Sequence, residues 1–135
     1  MANIVWTQDL SVNVNELDAQ HKKLFVLINE LDDAMREGKG REVLGKVMMG
    51  LISYTNTHFS NEEKYFDQFK YPDASSHKQE HSLFIKKINE FKSQFEANRL
   101  GLTIQISQFL NSWLQNHIKV TDKKYGPFFN QHGLK

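Results

Sequence analysis

Five of the six histidines in this chain continue apolar helical stripes. His21 lies three residues before Leu24, His58 four after Tyr54, and His117 four after Trp113, while His77 and His81 run into Phe84. Glu62 extends the second of these stripes between His58 and Tyr65. Imidazole and carboxylate groups are ligands for iron, zinc or manganese. A single inward histidine is ordinarily a hydrogen-bonded core residue. Five of them with a carboxylate need another account, because each buried polar group without a partner costs about 1–3 kcal/mol. A metal cluster offsets that cost. The chain has no cysteine, so thiolate sites are excluded and any metal relies on nitrogen and oxygen.

The spacings fit ligation. Residues four apart on a helix stack on one face, about 6 Å apart along the axis, and this relation joins His58 to Glu62 and His77 to His81. Asp122 follows His117 by five residues, an offset of about 140° on an ideal helix. Spacing alone therefore ranks Asp122 below the others: to share the site, the helix must bulge or end there. The run His77-Lys78-Gln79-Glu80-His81 also matches the H-x-x-E-H pattern of inverted zinc proteases. That reading needs a third ligand and a cleft, and the chain after His81 reads as one helix and a tail. Glu80 lies about 100° around the helix from His81 and can as easily be a solvated surface residue as a base. His132 fits no motif and also reads as surface.

The elements that must carry these residues are set by the punctuation. Breaks fall at Gly38-Lys39-Gly40, at Lys70-Tyr71-Pro72-Asp73, near Asn98 to Gly101, and at Gly126-Pro127. Between them, apolar steps of three and four predict helices over about 19–37, 41–69, 74–97 and 101–122, the first capped by Asp18. Residues 1–17 read as an arm packed over the bundle. The fold class is all-α: one domain over 1–135, an antiparallel up-down-up-down four-helix bundle with an N-terminal arm. In that topology the starts of helices one and three lie level with the ends of helices two and four. All six candidates then converge at one end, whereas chance would scatter them.

Bulk properties exclude other classes. With 17 basic and 16 acidic residues and no basic stripe, nucleic-acid binding has little electrostatic support. No apolar run is long enough to span a bilayer, and residues 1–10 lack the pattern of a secretory signal. The expectation is a cytoplasmic protein without membrane insertion.

The ordered set His21 in Asp18-Ala19-Gln20-His21, His58-x-x-x-Glu62, His77-x-x-x-His81 and His117-x-x-x-x-Asp122 resembles the hemerythrins in their single-domain bacterial form. The resemblance extends over nearly the whole chain, including Trp6 in the arm and Trp113-Leu114 before His117. A departure is Asn13, where many relatives carry glycine. The resemblance implies two non-haem iron ions, one held by His77, His81 and His117. The other would be held by His21 and His58 and keep an open position. Glu62, Asp122 and an oxo or hydroxo group would bridge them. It implies reversible dioxygen binding, as carrier or store, and no enzymatic activity. Phe59, Trp113, Leu114 and Ile118 neighbour the ligands and are candidates for an apolar oxygen pocket. Two alternatives remain open: an oxygen sensor acting through a separate partner, and a di-iron oxidase or peroxide-handling enzyme. The latter class uses Glu-x-x-His pairs and a carboxylate-rich site, and this sequence has no Glu-x-x-His.

Overall fold

The computed structural model describes residues 5–97 and 101–135, so the first four residues of the expected arm and the Asn98–Leu100 part of the third break lie outside it. Four helical segments make the bundle. The first is α1 (Asn15–Arg36). The second is α2 (Gly40–Tyr54), which continues through a π-helical turn at Thr55–Phe59 into α3 (Ser60–Phe69). The third is α4 (Ala74–Glu96). The fourth begins as α5 (Leu102–Trp113), widens to a π-helix over Leu114–Thr121, tightens to a 3-10 turn at Asp122–Lys124 and ends as α6 (Tyr125–Gln131). Among the described residues there is no strand. Contacts run α1 to α2, α2 to α4, α4 to α5 and α5 to α1, the ring of an up-down-up-down bundle.

Two sequence expectations are corrected. The first helix starts at Asn15 rather than after Asp18. Asp18 instead clamps the arm: its carboxylate accepts from the Ser11 hydroxyl at 2.6 Å and the Val12 N–H at 2.8 Å. The same clamp forms the bend at Asn13, whose φ of 59° lies in the left-handed region that asparagine and glycine tolerate. Gly126-Pro127 does not break the chain. Both residues sit in the first turn of α6, where proline forfeits no helical hydrogen bond. Glu80 keeps a partly exposed position at the surface and also turns its carboxylate to the ring of His117.

Two separate apolar clusters fill the molecule. The larger follows the bundle interior and includes Leu24, Phe25, Ile28, Leu51, Phe59, Phe84, Leu110, Leu114 and Ile118. The smaller closes one end, where Val12, Val14 and Leu17 meet Phe66, Tyr71, Tyr125 and Phe129. The arm is therefore a structural lid. Its Trp6 meets Phe25 edge-on at 5.5 Å, and its backbone passes so close to Gly126 that a Cβ there would lie 2.5 Å from the Val12 carbonyl oxygen.

Candidate metal centre

The buried polar residues converge where the two apolar clusters meet. His77 lies edge-on to Phe66 of the end cluster at 4.7 Å, while His81 and His58 pack on Phe59 and Tyr54 of the bundle core. All seven sequence candidates are present and none is more than 2 % exposed. They form two overlapping sets: Glu62, His77, His81, His117 and Asp122 in one, and His21, His58, Glu62 and Asp122 in the other. Within a set, the donor atoms all lie within 4.8 Å of one another.

Both carboxylates are divided between the sets. Glu62 turns Oε1 to His81 Nε2 at 2.9 Å and Oε2 to His58 Nε2 at 3.1 Å. Asp122 turns Oδ1 to the Nε2 atoms of His77 and His117, both at 2.9 Å, and Oδ2 to His21 Nε2 at 3.0 Å. Ligand atoms about 2.1 Å from one metal ion and at right angles around it lie about 3 Å apart, so these contacts have the length of a coordination-shell edge. None of the five Nε2 atoms has a hydrogen-bond partner, nor do both Asp122 oxygens and Glu62 Oε1. Buried and unpaired, they fit a pair of cations lying between them.

Local backbone geometry resolves the awkward spacing of Asp122. A π-helical turn closes i→i+5 hydrogen bonds and so stacks residues five apart. The segment Leu114–Thr121 does this between His117 and Asp122. Thr121 supports the widened turn by donating its hydroxyl to the Asn116 carbonyl at 3.3 Å. At the other π turn, the Thr55 hydroxyl donates to the Ile52 carbonyl at 2.8 Å, just before His58. Side-chain hydroxyls that compete for helix carbonyls are a known cause of such local opening.

Three ligand candidates are oriented by hydrogen bonds that sequence reasoning missed. His58 Nδ1 lies 2.7 Å from Gln20 Oε1, His81 Nδ1 2.9 Å from Glu63 Oε2, and His117 Nδ1 2.8 Å from Glu80 Oε1. With the proton on Nδ1 donated to these oxygens, each Nε2 presents its lone pair inward. Tyr125 donates its hydroxyl to Glu62 Oε2. Aromatic faces shield the rings: Phe59 stacks on His81 at 3.8 Å, Trp113 on His117 at 3.9 Å, and Tyr54 on His58 at 5.1 Å. Of the expected pocket residues, Phe59, Leu114 and Ile118 are buried in the bundle core, and Trp113 packs against it half-buried. One signal for the missed partners was available, since Gln20, Glu63 and Glu80 each adjoin a ligand candidate in sequence. Tyr125 and Tyr54 carried none beyond their helical phase.

The electrostatics show how strongly the cluster seeks positive charge. Burial works against protonation of His21 and His77, yet Asp122 and Glu62 outweigh it and raise them to about 9 and about 10. His117 is likewise raised, against its burial, chiefly by Asp122. His58 goes the other way, because burial prevails. Burial opposes ionisation of Glu62 and Asp122, but the surrounding histidines hold both well below the usual carboxylate range. Burial pushes the Tyr54 and Tyr125 hydroxyls well above the ordinary tyrosine value, with the two carboxylates adding to it.

Comparisons with known proteins agree with this geometry. The family described as Hemerythrin HHE cation binding domain matches residues 12–129. A bacteriohemerythrin of Methylococcus capsulatus (strain Bath) is 34% identical over 94% of this chain and 97% of its own. One of Stenotrophomonas maltophilia (strain R551-3) is 31% identical over 98% of this chain and 85% of its own. A wild-type hemerythrin crystal structure superimposes with a TM-score of 0.83 at 34% identity, covering 93% of this chain and 97% of that one.

Proposed function

The chain belongs to the hemerythrin family, and from that membership we propose that its seven-residue cluster holds two non-haem iron ions and binds dioxygen reversibly, as a carrier or store. The observation that carries this reading is the division of Glu62 and Asp122 between two histidine sets. A carboxylate that offers one oxygen to each of two sets is built to bridge two metals. His77, His81 and His117 would hold one iron. His21 and His58 would hold the other, whose set has one imidazole fewer and would leave room for a small ligand. Glu62, Asp122 and an oxo or hydroxo group would complete the bridges.

Two ferrous ions supply the two electrons that dioxygen takes up on binding and returns on release. The protein's contribution is to hold that centre nearly neutral, dry and rigid. Five imidazoles fill coordination positions without adding anions, and two carboxylates and a hydroxide offset most of the charge of two ferrous ions. Glu63, Glu80 and Gln20 fix the imidazole orientations. Phe59, Leu114 and Ile118, with Trp113 at the edge, form an apolar wall that excludes water and stray protons from the pocket. A histidine-rich centre of this kind gives less anionic support to high-valent iron than a carboxylate-rich one, which favours a binding protein over an oxidase. The protease reading loses its base, because Glu80 is engaged by His117 and Thr121.

Metal analysis of the purified protein should return about two irons per chain. The reduced protein exposed to air should gain visible charge-transfer absorption that purging reverses. One zinc per chain would overturn the proposal, and rapid irreversible oxidation or turnover of added peroxide would replace the carrier by an enzyme.

A further inference from the structure

Tyr54 is a polar residue of the bundle core to which the proposed centre assigns no ligand role. Its side chain is 6 % exposed and lies four residues before His58, with the two rings stacked 16° from parallel. The hydroxyl is fully buried and closes no hydrogen bond. The Trp113 indole N–H approaches it, but an indole can only donate, so the hydroxyl hydrogen has no acceptor. Around it stand Phe59 and Phe84, both edge-on to the Tyr54 ring. An unsatisfied buried donor costs about 1–3 kcal/mol, and a folded protein ordinarily removes such a cost with phenylalanine. Here the donor is held beside a histidine of the two-histidine set, in surroundings that offer it nothing.

We propose that Tyr54 is the hydrogen-bond donor to the small ligand bound at the two-histidine iron, and that it selects for ligands carrying negative charge, such as azide or reduced dioxygen. The proposal rests on the di-iron reading above. In an otherwise apolar pocket one such bond is stronger than it would be in water. It also favours a charged ligand over a neutral one of the same size, because charge-assisted hydrogen bonds are the stronger kind.

The test is Tyr54→Phe in the iron-loaded full chain, with azide as the probe. Phenylalanine keeps the ring and its stacking on His58 and removes only the donor. Azide affinity of the diferric protein, read from its charge-transfer band, should fall by about tenfold, and the azide infrared stretch should shift. The iron-free variant should melt no lower than the iron-free wild type, since the hydroxyl hydrogen has no acceptor in the fold. Unchanged affinity and stretch, or a lowered melting temperature without iron, would overturn the proposal. If the wild type binds azide and dioxygen and only the variant comparison fails, the di-iron reading stands and this assignment falls. If the iron-loaded wild type binds neither, both fall together.

Discussion

At His58, His81 and His117 an oxygen lies within hydrogen-bond distance of Nδ1, and the identity of that oxygen differs across the site. On the three-histidine side the acceptors are the carboxylates of Glu63 and Glu80; on the two-histidine side the acceptor is the neutral amide of Gln20. His21 Nδ1 is buried without any acceptor. Glu80→Ala should therefore lower iron affinity by about 10- to 100-fold, measured by competition with a chelator, while leaving the far-UV circular dichroism unchanged. The same residues set the pH response of the iron-free protein. His21 and His77 have folded values raised to about 9 and about 10, so their stabilisation is complete below the unfolded value of 6.5 and is lost as pH rises through that window. His117 adds to this, and His58, which is lowered, opposes it. The depressed Glu62 and Asp122 stabilise above the ordinary carboxylate range and lose that contribution only in strong acid. The melting temperature of iron-free protein should thus fall between pH 6.5 and 10. Iron-loaded protein should not share that fall, because metal replaces those protons. A rise for the iron-free form would refute this account.

At the scale of the element, the three orienting residues obey one rule. Gln20 precedes His21 on α1, Glu63 follows Glu62 on α3, and Glu80 precedes His81 on α4. A residue next to an inward-facing ligand is rotated about 100° around its helix and points towards a neighbouring helix. Reversing the helix reverses that sense, so a step back on α1 and α4 and a step forward on α3 all turn the same way round the ring. Each of the first three helices thereby braces a ligand candidate on the next. The fourth helix depends on a different device, its passage from π-helix to 3-10 turn, which brings Asp122 under His117 and launches α6 against the arm. Gly126 is the contact point. Alanine there gains up to about 1 kcal/mol in helix propensity, but its Cβ would meet backbone at 2.5 Å. Overpacking against an atom that cannot rotate away costs about 1–3 kcal/mol and should dominate. Gly126→Ala is expected to lower the urea midpoint; an unchanged or higher midpoint would show that the arm yields freely.

For the whole molecule, the polar centre is sandwiched between two apolar clusters, each with several members that pack on one another. Iron removal is accordingly expected to lower the melting temperature while leaving most of the helical circular dichroism in place. Loss of helix on chelation would mean that metal binding and folding are one event, as in small metal-nucleated domains. The described helices include none long and apolar enough to cross a membrane.

The sequence by itself determined the bundle, its antiparallel order and the convergence of His21, His58, Glu62, His77, His81 and His117. All of these are consequences of helical period and of depth along a helix, which a linear pattern records. Asp122 marks the boundary of that legibility: its five-residue step from His117 requires a distorted or ending helix, and the π-helix supplies the distortion, but the widening depends on hydroxyl groups and packing that no periodicity reveals. Tertiary packing settles which oxygen braces which histidine, that Asp18 clamps the arm instead of capping a helix, and that the partly exposed Glu80 reaches across to His117. Those are contacts between residues 6 to 41 positions apart, set by how neighbouring helices rotate against one another, and a helix's own sequence fixes its inward face without fixing what its flanks will meet.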